Sequence, residues 1–369
     1  MAGSTFGNIF KITTWGESHG KGIGVVVDGC PAGLSLCEED IQVYLDRRKP
    51  GQSKITTQRK ESDTVQILSG VFEGKTTGTP ISMVVFNESQ RSADYSEIAS
   101  YYRPAHADYT FEEKYGFRDY RGGGRSSGRE TIGRTAAGAI AAKILKEFGI
   151  EVHAYSRSIG NVSIDYSRFN LEDARNNIVY MPDSLAAKEA EALLADQMAK
   201  QDSVGGVIEC VVSGMPAGVG EPVFDKLDAC LAKAIMSIGA VKGVEIGDGF
   251  SVASMMGSED NDGFFMKDGC IEKSSNHAGG ILGGISDGSD IVLRAAVKPT
   301  PSIARTQQTV NKSGENIDIN IKGRHDPIIV PRAVVVVETM TALTVLDLLM
   351  TSMTSRLDLM VDFFTRRNQ

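Results

Sequence analysis

The sequence predicts an α+β fold, a single domain over residues 1–369 in which antiparallel sheets pack on helices. Three observations lead there. Strand-like segments do not alternate strictly with helical ones, which disfavours a doubly wound parallel sheet. The segment Asn316-Ile-Asp-Ile-Asn-Ile321 alternates polar and apolar residues, so one face of its sheet should meet solvent. No Pro/Ser-rich linker divides the chain, and 41% hydrophobic residues over 369 positions supply a substantial core.

Along the chain, Val25-Val-Val27 reads as a strand that runs into the turn Gly29-Cys-Pro-Ala-Gly33 and a helix from Glu38 to Leu45 and beyond. Ile81–Phe86 is a second strand. Ile132, Ala136, Ile140, Ile144 and Phe148 recur every four residues and mark a helix that Gly149 should stop. Ser184–Lys200 and Pro222–Ile238 read as helices, the latter with proline at its start. Val207–Val212, Asp290–Val297, Ile317–Ile321 and Ala333–Glu338 read as strands, the last a short buried one. Ala342–Leu357 reads as the final helix.

The chain also repeats itself at a constant offset of 185. Glu17-Ser-His-Gly20 and the turn ending Pro31-Ala-Gly33 are matched by Asp202-Ser-Val-Gly205 and Pro216-Ala-Gly218. This predicts an internal pseudo-two-fold repeat with halves of about 1–185 and 186–369. His19 is matched by Val204, so the scaffold is repeated and the chemistry is not.

A net charge of −8 argues against a nucleic-acid or membrane-surface binder. Five cysteines, an odd number with no C-x-x-C pair, point to a reducing, cytoplasmic setting without a structural zinc. The N-terminus has no secretory pattern and no run approaches eighteen apolar residues, so no membrane span is expected. The Walker pattern G-x-x-x-x-G-K-[ST] is absent.

Against the acidic total, arginines are locally dense. Arg121-Gly-Gly-Gly-Arg125-Ser-Ser-Gly-Arg129-Glu-Thr131 runs straight into the helix. Glycines admit close backbone approach, helix N-termini attract anions and guanidinium forks match phosphate oxygens. The stretch predicts a site for a phosphorylated ligand. His19, His106 and His325 lie in loops of small and charged residues, and histidine moves protons near neutrality. Metal ligation is not expected, since no H-E-x-x-H spacing occurs. In Gly16-Glu-Ser-His-Gly20 the serine and histidine are adjacent and cannot easily form a triad-type hydrogen bond, so a serine hydrolase is not expected. Ser275–Ser286 is glycine-rich enough to lie against a flat ring, and Lys298-Pro-Thr-Pro-Ser302 suits a single phosphate.

Taken together, Gly16-Glu-Ser-His-Gly20, Arg103-Pro-Ala-His-Ala-Asp108, the Arg121–Thr131 segment, Asn276-His-Ala-Gly-Gly280 and Arg324-His-Asp326 closely resemble the chorismate synthase family over nearly the whole chain. The resemblance implies helices sandwiched between antiparallel sheets, a homotetramer, and conversion of 5-enolpyruvylshikimate 3-phosphate to chorismate and phosphate with reduced FMN. It implies His19 as the donor of a proton to reduced flavin, His106 as the aid to phosphate departure, and Asp326 as the carboxylate that helps flavin accept the substrate proton. Arg48, Lys54, Arg103, Arg129 and Arg324 match substrate-binding positions. Arg125, Ser126, Ser127, Gly239, Ala240, Gly283, Lys298, Pro299, Thr300, Pro301, Ser302 and Arg324 match flavin contacts. Ala105 and Gly128 depart from a common Gly and Ala, and Lys54 stands where Arg is usual. NADPH enters only if the protein reduces its own flavin. A non-enzymatic flavin binder would lack His19, His106 or Asp326, and all three are present.

Overall fold

The computed structural model describes residues 3–49, 51, 62–87, 97–321 and 326–366. Strands β1 (Thr5–Phe6), β2 (Lys11–Gly16) and β3 (Gly22–Asp28) lead into helix α1 (Glu38–Arg48). Next come β4 (Val65–Ile67), the hairpin β5 (Val71–Phe72) and β6 (Lys75–Thr76), β7 (Ile81–Phe86), α2 (Asp108–Tyr115) and α3 (Thr131–Glu147). Strands β8 (Glu151–Ile159) and β9 (Val162–Ser163), helices α4 (Leu171–Arg175) and α5 (Ser184–Ala199), β10 (Gly206–Ser213), α6 (Leu227–Met236) and β11 (Val241–Ile246) follow. Then come α7 (Gly257–Asp260), two hairpins, β12 (Phe264–Lys267) with β13 (Cys270–Lys273) and β14 (Ile281–Leu282) with β15 (Ile285–Ser286), and strand β16 (Ile291–Val297). The hairpin β17 (Thr306–Val310) and β18 (Asn316–Asn320) precedes α8 (Val330–Ser352) and α9 (Leu357–Arg366).

Two five-stranded sheets dominate, in the orders β1-β2-β3-β7-β4 and β11-β16-β10-β8-β9, and their pairings are antiparallel. Mixed helix and antiparallel sheet is thus the architecture. Helix α1 carries Glu38, Glu39 and Asp40 in its first turn and Arg47 and Arg48 in its last, complementing the helix dipole at both ends. Helix α3 packs on β2, β3 and β7, α8 packs on β8 and β10, and the two helices pack on each other. Their crossing is close because Gly138 meets Thr339, where a Cβ would lie 2.4 Å from the Thr339 Cβ.

Local hydrogen bonds recur between the sheets. Gly33 N donates to Thr76 O and Gly218 N to Ser286 O, both at 2.8 Å. Thr76 Oγ1 donates to Pro31 O and Ser286 Oγ to Pro216 O, both at 2.6 Å.

The expected helices at 38, 132, 184 and 222 all form, the last shortened to Leu227–Met236 behind a 3-10 turn at Val223–Asp225. The expected strand Ala333–Glu338 does not form; it is part of α8, which also absorbs most of the helix expected at 342–357. Four consecutive valines read as β because of their branching. The helix is buried over Val334–Leu348, so no polar face betrays a period of 3.6. By length and apolarity alone α8 could cross a membrane, yet 83% of its most apolar stretch is buried inside the fold.

Candidate active site

His19 lies in the loop that joins β2 to β3 and is 7% exposed. Its Nδ1 is 3.2 Å from Ser18 Oγ, which donates to Gly122 O at 3.2 Å. The glycine run of the arginine-rich segment therefore rests on the imidazole. At Gly122 (φ +64°) a Cβ would sit 2.1 Å from His19 Cε1, so a side chain is excluded there. Arg125 is drawn to the same strand end, donating to Thr14 Oγ1 at 2.7 Å and Gly16 O at 3.2 Å. Ser126 Oγ donates to Gly123 O at 2.7 Å, and Ser127 Oγ accepts from Arg129 N at 3.3 Å. Two short 3-10 turns, Gly124–Ser126 and Gly128–Glu130, deliver the chain into α3.

Beside them is a buried charge cluster. Arg48, at the end of α1 and 1% exposed, pairs with Asp63. Asp63 also accepts from Arg129 Nη1 at 3.1 Å. Arg129 Nη2 donates to Asn87 Oδ1 at 2.8 Å. Arg332, on the first turn of α8, donates from Nη1 to Asp326 at 2.5 Å and from Nε to the Arg48 carbonyl at 3.1 Å. Among the described residues, three guanidiniums share two carboxylates, a set of donors suited to an anionic ligand. Burial pulls Arg48 down to about 10, with Asp63 opposing the fall. Burial works to raise Asp63, but Arg48 and Arg129 outweigh it and hold its carboxyl below the usual range.

His106 belongs to a second group. Its Nδ1 is 2.9 Å from Pro104 O and its Nε2 is 3.0 Å from Ser302 Oγ. Because a carbonyl only accepts, Nδ1 carries the proton of the neutral ring and Nε2 accepts from the serine. Burial, then Arg103, push His106 down to about 4. Arg103 is gripped by Asp108, with Nε and Nη2 each at 2.8 Å from its oxygens. Burial tends to raise Asp108, but Arg103 and Arg118 draw it down to about 2. Arg118, 3% exposed in its side chain, also binds the carbonyls of Ile98 and Tyr101 at 2.7 Å. Ala105 takes the left-handed backbone (φ +56°), a conformation that costs a side-chain-bearing residue about 1–2 kcal/mol. Lys298 Nζ donates to its carbonyl at 2.9 Å.

Lys298 gathers several expected positions. Its N–H donates to Ala240 O at 3.0 Å, next to Gly239. Burial and the neighbouring Lys242 lower the Lys298 amine, so two ammonium groups stand together where a phosphate would be welcome. Pro299, Thr300 and Pro301 carry the chain from β16 to Ser302, and the Thr300 hydroxyl is buried without a hydrogen bond. These donors fit the phosphate end of a mononucleotide. Gly283 is not brought to this set. It lies beside Gly284, whose carbonyl accepts from Leu227 N, whereas Gly239 and Ala240 follow the other end of α6. That separation is about 15 Å along the helix. The Asn276–Gly280 turn is pinned by Asp262, which accepts from His277 N at 2.8 Å and Ala278 N at 3.1 Å. Lys54, Arg324 and His325 lie outside the described residues.

The loop matched to that of His19 joins the two groups. Val204 N donates to Pro327 O at 3.0 Å, one residue past Asp326, and Ser203 Oγ donates to Thr300 O at 2.7 Å. Asp63, Asn87, Arg118 and Arg332 are the participants that sequence reasoning missed. Arg118 lies three residues before the arginine-rich run Arg121–Thr131, which was the only signal for it; the other three carry no local signal.

A family model described as chorismate synthase matches residues 10–350. A chorismate synthase from Lachnospira eligens is 68% identical over 366 residues, covering 99% of this chain and 100% of the relative. One from Methanocella arvoryzae is 58% identical over 352 residues, 94% of each chain. A crystal structure of a chorismate synthase superposes with a TM-score of 0.76 at 33% identity, covering 95% of this chain and 94% of the other.

Proposed function

The chain belongs to the chorismate synthase family, enzymes of the shikimate pathway, and from that premise we propose that it converts 5-enolpyruvylshikimate 3-phosphate to chorismate and phosphate by anti-1,4-elimination. The observation that carries the reading is the cluster of buried Arg48 and Arg129 with half-buried Arg332 beside His19, with His106 in a second group tied to it through Asp326 and Ser302. The substrate bears two carboxylates and a phosphate, and an arginine-rich, largely desolvated pocket offsets those charges better than water-exposed lysines would.

Reduced FMN, when bound, supplies an electron-rich ring that no side chain can offer. Lys298, Thr300 and Ser302 hold its phosphate end in this reading, with Gly239 and Ala240 alongside; Arg125, Ser126 and Ser127 line the glycine slot. Gly283 serves from another copy of the chain or not at all. Arg48 and Arg129, with Lys54, Arg103 and Arg324, take the anionic groups of the substrate. His106 is neutral at pH 7 until the substrate phosphate approaches. That negative charge raises its affinity for a proton at Nε2, from which the departing phosphate is protonated. His19 holds a proton against the glycine run. Asp326, aimed by Arg332, is the carboxylate that handles the proton lost from the substrate ring.

We further infer an internal pseudo-two-fold repeat with helices between the sheets. It is supported by the shared strand order β2-β3-β7-β4 and β8-β10-β16-β11 and by the recurring turn bonds. A cytoplasmic homotetramer that binds neither nucleic acid nor membrane completes the reading. Five free cysteines and exposed apolar side chains such as Phe264, Ile271, Leu357 and Phe364 are in keeping with it.

The test is phosphate release and chorismate absorbance from purified protein with chemically reduced FMN, with oxidised FMN and with none. Turnover is expected only with reduced flavin. Equal rates without flavin overturn the reading. Adding NADPH and FMN in darkness, without a reductase, decides whether the protein reduces its own flavin.

A further inference from the structure

The side chain of Asn87 stands between the His19 loop and the arginine cluster. It follows the last residue of β7, and its backbone N–H is fixed on Lys21 O at 3.1 Å. Its amide nitrogen donates to Glu17 O at 3.0 Å and Gly20 O at 2.9 Å, the two carbonyls that bracket Ser18 and His19. Its amide oxygen accepts from Arg129 Nη2 at 2.8 Å. Two carbonyls on one side and a guanidinium on the other permit a single orientation of the amide, because carbonyls only accept and guanidiniums only donate. No other residue type of this size offers two donors and an acceptor at these three points.

We propose that Asn87 is a positioning residue that ties His19 to Arg129, so that capture of an anion at the arginines is felt at the imidazole. The proposal rests on the roles given above to His19 and Arg129. The remaining surroundings leave the loop little slack. Gly122 closes on one side of the ring, and Ser18 bonds both to the ring and to the Gly122 carbonyl. Arg129 is equally constrained, with Asp63 on its Nη1 and the buried carboxylate shared with Arg48. A guanidinium drawn towards a bound phosphate must therefore either release the Asn87 oxygen or carry the amide with it. Carrying the amide moves the two carbonyls that set the pose of His19.

Two measurements test this. In a kinetic cycle, Asn87→Ala should lower kcat by about 10²-fold in the wild-type background, the scale of a misplaced reacting group, and by little in a His19→Ala background, because its effect passes through His19. Equal losses in both backgrounds overturn the proposal, since a purely structural role adds independently of His19. The second measurement needs no turnover. The His19 ring signal in an NMR spectrum, identified by its loss in His19→Gln, should shift on addition of inorganic phosphate to the wild type and not to Asn87→Ala. Asn87→Asp keeps the acceptor for Arg129 and loses both donors, so it should also abolish the shift, and it serves where the alanine variant does not fold. A phosphate-induced shift that survives in either variant, or none in the wild type, overturns the proposal. A wild type that shows the shift but no chorismate formation would instead sink the functional reading and leave the Asn87 link standing.

Discussion

Burial of His106 should write itself into the acid stability of the protein. The ring falls from 6.5 to about 4, driven first by burial and then by Arg103. For a histidine whose folded value is depressed, the unfolded chain binds the extra proton between those two values. The contribution to stability is therefore complete above pH 6.5 and is lost as pH falls towards 4. Linkage converts the full shift to about 3 kcal/mol, of which about 2 kcal/mol disappears between pH 7 and pH 5. His106→Gln keeps a polar side chain but does not titrate. Its midpoint in urea should fall less between pH 7 and pH 5 than that of the wild type, by the equivalent of that 2 kcal/mol. The carboxylates of Asp63, Asp108 and Asp262 also lose stability as they take up protons, but they do so in both proteins and cancel. Parallel loss of stability in the two proteins would show that His106 is not held neutral, and the account of its protonation by an arriving phosphate would fail with it.

Two further outcomes follow from the cluster. Asp63→Asn leaves the buried Arg48 and Arg129 without their shared carboxylate and should destabilise the fold by about 3–5 kcal/mol, read as a lower melting temperature that inorganic phosphate partly restores; an unchanged melt would show that the pair is not desolvated. Gly122→Ala should depress turnover by about 10²-fold through displacement of His19, whereas Gly128→Ala, whose Cβ meets nothing within 4 Å, should be silent; comparable rates for both would remove the contact between the glycine run and the ring.

The parts of this site that were legible in sequence are those whose chemistry is local. The glycine, serine and arginine run announces an anion site because loop and helix start are contiguous, and the helix at 132 shows its period. The strand Ile81–Phe86 is legible for the same reason, a short apolar run between turn residues. Helix α8 was misread because burial on every side removes the pattern that distinguishes helix from strand, and Pro331 at its start was the one available clue. Asp63 was invisible for a different reason. It meets Arg48 only because β4 returns beside α1, and it meets Arg129 only because α3 begins at the same edge. Nothing within five residues of Asp63 records either fact.

The proposed internal repeat bears on catalysis through both of its loops. Sequence alone set His19 against Val204 and concluded that only the first copy of the loop takes part. If the repeat holds as proposed, its second loop is not idle scaffold. Its backbone at Val204 holds Pro327, and its Ser203 hydroxyl holds the Thr300 carbonyl, so it links the carboxylate of Asp326 to the segment that faces His106. On the proposed mechanism, one loop presents a side chain that can move a proton, while its counterpart presents backbone and hydroxyl groups that fix the Asp326 and His106 segments relative to each other. The valine side chain adds packing against Gly160, where a Cβ would lie 2.9 Å from Val204 Cγ2. On that reading, what divides the two loops is the kind of group each turns towards the proposed site, and that division could be read only once the strands had brought residues 204, 300 and 327 together.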